Sequence, residues 1–238
     1  MPQKTLLLFD VDGTLVYSER RDSQCFAKAY EEKYERAFPT LDWRAFSHVT
    51  DHIIFGSCIE QHFGRTYTRE EEEDFRALYM SMLQEERRRD PDAFREVPGA
   101  GDFWRKLEEH PEYEVAIATG GWCAPAQIKL THVGIDPSEL IICGGDLRET
   151  RDDILQAAID TAMVRAGHSF DRIVYIGDAE WDAQTTGRMG LDFVGVRHRG
   201  DYDVLEQFGT RSIIRNYLEP DAFWSAVERA RPPYVRVR

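Results

Sequence analysis

The chain has 238 residues, 42% of them hydrophobic, which suffices for one generous domain or for a core domain with a smaller second unit. Its formal net charge is −13 and its basic residues form no run longer than the "ERRRD" of 86–90, which argues against nucleic acid or an anionic membrane as its partner. No apolar run approaches the ~20 residues of a membrane span, and the N-terminal apolar segment stops at Asp10, so neither a span nor a secretory signal is expected.

In chain order, "TLLLF" (5–9) is a short apolar run ending in an aspartate and reads as a buried strand. Residues 18 to 96 contain no convincing strand but several helical windows: "DSQCFAKAYEEKY", "DHIIFGSCIEQHFG" and "REEEEDFRALYMSMLQEERRR". "REVPGAG" (95–101) reads as the return linker. Strands and helices then alternate. Helical patterns cover 100–110, 124–134, 151–167 and 179–190, and buried strands cover 114–119, 140–144, 172–177 and 192–196. Such alternation predicts βαβ units, and strands buried on both faces predict a doubly wound parallel sheet, a Rossmann-like three-layer α/β/α core. The expected domains are a core of 1–17 and 97–238 and a smaller, mostly helical cap of 18–96. An insertion after the first strand lies above the carboxyl ends of the strands, where open α/β sheets bind ligands.

Residues just past each strand converge on that edge. They are Asp10 and Asp12; Thr119, Gly120 and Gly121; Asp146, Arg148 and Arg151; and Asp178 and Asp182. Two carboxylates ~4 Å apart repel by ~4 kcal/mol at an effective dielectric of ~20, a term that a divalent cation reverses. An oxygen-only cluster of this kind suits Mg²⁺. The histidines offer no zinc pattern: His48 and His52 are four apart, but no third ligand follows at a recognisable interval. Cys25, Cys58, Cys123 and Cys143 form no C-x-x-C pair and read as free thiols in a reducing cytoplasm.

Three of these segments carry a resemblance. "FDVDGTLV" (9–16) resembles the first motif, DxDGT, of the haloacid dehalogenase superfamily of phosphotransferases; "AIATGG" (116–121) resembles its second; "IGDAEWDA" (176–183) resembles its fourth, GDxxxD. The third motif departs from the pattern. The family usually has a lysine before the helix that precedes the fourth strand, and this chain has "GGDLRETRDDILQAAI" (144–159). Arg151 heads that helix and is the choice, with Arg148 the alternative; a guanidinium can carry the same charge and adds a bidentate fork for phosphate oxygens.

The resemblance implies a Mg²⁺-dependent phosphatase of a small phosphorylated metabolite, acting through an aspartyl phosphate on Asp10. Asp12 would serve as general acid and base. Asp10 and Asp178 would ligate Mg²⁺ by side chain, and Asp12 by its backbone carbonyl. Thr119, Gly120 and Arg151 would hold phosphate oxygens, and Asp182 would steady Arg151 or a metal-bound water. Thr50 and Asp51, in "HVTDHIIFG" (48–56), resemble a cap loop that faces the active site, with plain helix capping as an equal rival. A phosphomutase of the same superfamily, or a silent binding protein on the same fold, is the alternative function. Asp146 reads as a turn residue, Trp122 and Cys123 as packing, and "REEEED" (69–74) as a solvated helix start. Monomer and homodimer stay open.

Overall fold

The computed structural model describes residues 4–107, 109–146 and 148–234. Strand β1 (Thr5–Phe9) sends alternate side chains to opposite faces of its sheet, and Leu6, Leu7, Leu8 and Phe9 are all fully buried. A strand apolar on both sides must be central, and it is. Strand β1 is followed by a two-residue strand β2 (Val16–Tyr17), which pairs antiparallel with β3 (Arg95–Glu96). Next come β4 (Tyr113–Ala118), β5 (Ile141–Cys143), β6 (Arg172–Gly177), β7 (Asp192–Val196) and β8 (Ile213–Ile214). Six strands form one parallel sheet in the order β5-β4-β1-β6-β7-β8. The chain winds outward from β1 to β4 and β5, then crosses back to β6 and winds the other way. The topological switch point therefore lies at the carboxyl end of β1, where Asp10 begins.

Helices α1 (Glu19–Tyr34), α2 (Asp51–Phe63) and α3 (Arg69–Arg89) form the cap, and a short 3₁₀ turn, Trp43–Ala45, interrupts the α1–α2 connection. The remaining helices are α4 (Ala100–Leu107), α5 (Cys123–His132), α6 (Arg151–Ala166), α7 (Glu180–Met189), α8 (Asp203–Glu206) and α9 (Pro220–Arg229). The helix predicted over 100–110 thus closes earlier, at Leu107, and residue 108 lies outside the described residues, as do the ends of the predicted core range, 1–3 and 235–238. Strands β2, β3 and β8 and helices α8 and α9 fall where the sequence predicts no such element, and β3 lies within the stretch expected to hold no strand. A two-residue strand has no periodicity to detect, whereas α9 begins on Pro220 at its first position and buries Phe223, Ala226 and Val227, a pattern that is visible in retrospect.

One face of the sheet packs Leu6, Leu8, Ala116 and Tyr175 under Ile154, Ala158 and Ala162 of α6 and Ala183 of α7. The other packs Leu7, Phe9, Ile117 and Ile176 under Trp104, Leu130 and Phe223. This second core runs without a break into the cap. Phe26 of α1 stacks on Trp122 at 5.8 Å and meets Phe75 of α3 edge-on at 5.0 Å, and Phe75 stacks on Phe55 of α2 at 4.6 Å. Aromatic pairs of this geometry contribute ~0.5–1.5 kcal/mol each beyond the area they bury. Trp122 is thus a packing residue, as expected.

The cap helices follow their local signals. Thr68 caps α3 by accepting from the Glu71 amide, Glu70 to Glu72 occupy the first turn and Arg87 to Arg89 the last, all favourable to the helix dipole. The acidic start is less solvated than expected. Glu72 is buried and lies 2.8 Å from His52 Nδ1, while Glu71 takes a bidentate bond from Arg65 and one from the Tyr34 hydroxyl. His52 is therefore an ion-pair partner within the cap, and its hydrogen bond to Glu72 raises its pKa.

Candidate active site

The turn after β1 brings the first two aspartates into place. The amides of Thr14, Leu15 and Val16 all point to the Val11 carbonyl, which folds the chain back within four residues. Gly13 makes this possible at φ +77°, and a Cβ there would lie 2.2 Å from Asp178 Oδ2. Only glycine fits both the backbone and the approach of the Asp178 carboxylate. Asp10 is almost fully buried, its Oδ2 stands 3.3 Å from Arg151 Nη2, and its Oδ1 is buried with no hydrogen-bond partner. Burial pushes its pKa up to about 7 against the pull of Arg151, and the charges of Asp182 and Asp12 add to the rise.

Arg151 is the first residue of α6, directly after Thr150, whose hydroxyl accepts from the Asp153 amide. That cap aims the guanidinium back over the sheet edge. Its Nη2 lies 2.6 Å from Asp182 Oδ1 and 3.2 Å from the Tyr175 hydroxyl, as well as reaching Asp10. Arg148 is elsewhere, donating to the Gly144 carbonyl at 3.4 Å. Asp182 is fully buried. Beyond Arg151, it takes the Asp178 amide at 3.1 Å and the Ala179 amide at 3.0 Å, which fixes the turn after β6. Arg197, just past β7, donates to the Asp178 carbonyl at 2.8 Å and places a second cation at that turn.

After β4 the backbone carries the site. The Thr119 amide donates to Cys143 O at 3.0 Å and its hydroxyl accepts from Gly121 at 3.4 Å. A Cβ on Gly120 would meet Arg151 Nη1 at 2.3 Å and the Val49 carbonyl at 2.5 Å, so this glycine lets cap, core and guanidinium close on one another. Asp51, in the first turn of α2, accepts from the Trp122 amide at 2.9 Å, and its own amide donates to Gly120 O at 3.0 Å. Burial pushes the Asp51 carboxyl up to about 8.

A cavity of about 450 Å³ lies between cap and sheet edge. Asp10, Asp12, Asp51, Thr119, Gly120, Arg151 and Asp178 line it, together with Phe26, Trp43 and Ile54 of the cap side. Thr50 is not among the lining residues. It is buried behind the site, accepting from the Ile53 amide at 3.4 Å and donating to Glu149 O at 3.1 Å, so it both caps α2 and ties it to the core. Asp182 also stands behind the cavity. Asp146 does more than turn the chain: it accepts from the Cys123 amide at 2.9 Å and pairs with Arg76 of the cap at 2.7 Å.

Asp10, Asp178 and Asp182 place ligand atoms within 4.8 Å of one another, a group that could hold a cation. The orphaned Asp10 oxygen and the glycine that admits the Asp178 carboxylate fit a hard cation between those two residues. Asp182 fits less well, since both its oxygens already serve Arg151 and the two amides. The Asp12 carboxylate lines the same cavity and pairs with Lys129 at 2.6 Å.

Lys129 was not visible as a site residue in the sequence. It lies on α5 between Ala126 and Leu130, both buried, and a lysine on an otherwise apolar helix face is the signal that could have marked it. Asp22, its other partner, was equally unmarked within α1.

Fold and site together define a capped α/β enzyme that gathers carboxylates and a buried guanidinium at the switch point of a parallel sheet. The haloacid dehalogenase-like hydrolase family matches residues 7–196, and the chain belongs to that family. No curated protein matches it significantly by sequence. Among solved structures, it is similar to a hydrolase from Pseudomonas syringae, with TM-score 0.70 and 21% identity over 94% of this chain and 99% of that one. It is also similar to a predicted phosphoglycolate phosphatase from Haemophilus somnus 129PT, with TM-score 0.57 and 20% identity over 82% and 86% of the two chains. CbbY from Rhodobacter sphaeroides, solved in complex with phosphate, gives TM-score 0.62 and 16% identity over the same shares, 82% and 86%. At these identities the likeness is one of fold.

Proposed function

We propose that this hydrolase is a Mg²⁺-dependent phosphatase of a small phosphorylated metabolite, with Asp10 as nucleophile. The observation that carries this reading is the Asp10 carboxylate itself. It is buried at the switch point, one oxygen beside Arg151 and the other without a partner, in the lining of a cavity of small-molecule size. A buried carboxylate oxygen left without a partner is costly to keep, and such sites are where reactive groups are found.

In the first half-reaction an Asp10 oxygen bonds to phosphorus as the ester oxygen leaves, and Asp12 gives that oxygen a proton. In the second, Asp12 takes a proton from water as the water oxygen attacks phosphorus, which frees Asp10 and inorganic phosphate. Arg151 stabilises the charge that gathers on the phosphoryl oxygens, while Asp182 and the Tyr175 hydroxyl hold the guanidinium in place. Thr119 and the Gly120 amide complete the phosphate cradle. Asp10 and Asp178 by side chain, and Asp12 by its backbone carbonyl, would hold Mg²⁺, which supplies charge neutralisation for one anion approaching another.

The cap defines the leaving-group side. Phe26, Trp43 and Ile54 give it an apolar wall and Asp51 a carboxyl group, which suits a small organic moiety with hydrogen-bonding groups. Among the described residues no helix is long and apolar enough to cross a membrane. All four cysteines are free, which supports the cytoplasm as the compartment. The test is phosphate release from a panel of phosphorylated metabolites and a generic aryl phosphate. The wild type with Mg²⁺ is expected to turn over at least one of them and Asp10→Asn none. Equal activity in a folded Asp10→Asn protein would end this reading.

A further inference from the structure

Lys129 has only 2% of its surface exposed, an unusual position for an ammonium. Its Nζ lies 2.8 and 2.6 Å from the two oxygens of Asp12 and 2.7 Å from Asp22 Oδ1. An ammonium has three N–H donors, and here every one has a carboxylate oxygen in range. Asp22 is fixed in turn by the Tyr79 hydroxyl at 2.5 Å, and the Ser18 hydroxyl donates to Asp12 Oδ1. The three carriers are separate pieces of the fold: Asp12 on the turn after β1, Lys129 on core helix α5, Asp22 and Tyr79 on cap helices α1 and α3.

A buried ion pair contributes little net stability, because desolvation cancels most of the attraction. Generic adhesion between cap and core is therefore a weak reason for this device, and the aromatic cluster already supplies it. What the ammonium does supply is direction. A two-oxygen grip on a carboxylate fixes the plane of the group, and Asp12 is the group whose orientation toward the leaving oxygen matters.

We propose that Lys129 is a positioning residue for Asp12, holding its carboxyl plane toward the leaving group while the cap, through Asp22, keeps the ammonium in place. This rests on the phosphatase reading above.

The test exploits the fact that kcat/KM reports the first half-reaction, where Asp12 acts as acid. An alkyl phosphate needs that proton, whereas 4-nitrophenyl phosphate, with its stable leaving anion, scarcely does. Lys129→Met is expected to lower kcat/KM for the alkyl ester by ~10²-fold, the usual size of general-acid help, and for the nitrophenyl ester by under ~10-fold. Lys129→Met alone leaves two carboxylates facing each other. The double variant Lys129→Met with Asp22→Asn relieves that repulsion and should show the same separation between esters in a stable protein. An equal fall for both esters, or no fall, in the folded double variant would overturn the proposal and leave Lys129 a structural ion pair. A wild type inactive on both esters would instead overturn the phosphatase reading, and this inference with it.

Discussion

The Arg151 guanidinium lies 2.6 Å from the Asp182 carboxylate, and both groups are buried. The same Nη2 reaches Asp10 at 3.3 Å, so one cation answers two buried anions. Removing it strands both. Arg151→Ala is expected to cost ~3–5 kcal/mol of stability, as loss of one partner of a buried pair does, and at least ~10²-fold in turnover. Arg148→Ala should change neither appreciably, since that side chain donates to a carbonyl on its own loop. Thermal midpoints and kcat for the two variants check this, and the reverse ranking would move the third-motif role to Arg148.

Without a cation, Asp10 and Asp178 are neighbouring carboxyl groups whose joint ionisation is opposed. Mg²⁺ should therefore raise the thermal midpoint of chelator-treated protein, by ~2.7 kcal/mol of stabilisation at a hundred times its Kd. The gain should vanish in Asp178→Asn. Chelator should abolish phosphatase turnover and Ca²⁺, with its looser and higher coordination, should restore it poorly. Undiminished activity in excess chelator would remove the metal from the account.

Asp51 gives a pH-dependent prediction. Burial lifts its folded pKa to about 8, whereas an unfolded aspartate titrates near ~3.9. Between those values the folded protein holds a proton that the unfolded chain has released. Stability contributed at this position is therefore intact below about pH 4, declines as pH rises, and is lost above about 8. Asp51→Asn keeps an acceptor for the Trp122 amide and cannot ionise. Its midpoint should exceed that of the wild type at pH 9 and match it at pH 4, as melts at the two values will show.

The same residue faces the cavity from the cap, so Asp51→Ala should reorder metabolites by kcat/KM. Hydrolysis of a small, poorly discriminated phosphate ester should remain largely intact. A cap residue can touch the leaving group without touching the transferring phosphoryl, and its loss removes only differential binding. An unchanged ranking would confine Asp51 to the helix start.

The core was legible because its signals are local. "TLLLF" followed by Asp10, and Gly13 with its positive φ, need only their neighbours in sequence. Arg151 was chosen because it heads a helix, a local feature, and the structure caps that helix with Thr150. Lys129 was not, because its partners Asp12 and Asp22 lie 117 and 107 residues away, and an isolated lysine in a helix reads as solvent-facing. The pairing of Arg76 with Asp146, 70 residues apart, was hidden for the same reason. Thr50 and Asp51 are adjacent in sequence, yet one is buried behind the cavity and the other lines it. Thr50 is the extended N-cap and Asp51 the first helical residue, and without the packing of α2 neither direction can be assigned.

The central claim is that the phosphoryl group passes through Asp10, and the stereochemical course at phosphorus tests it most directly. A phosphate ester made chiral at phosphorus with sulfur and oxygen isotopes is hydrolysed by the wild type, and the configuration of the released thiophosphate is read. Two in-line displacements, first by Asp10 and then by water, predict overall retention. Inversion would mean a single direct attack by water, and would contradict the assignment of Asp10 as nucleophile.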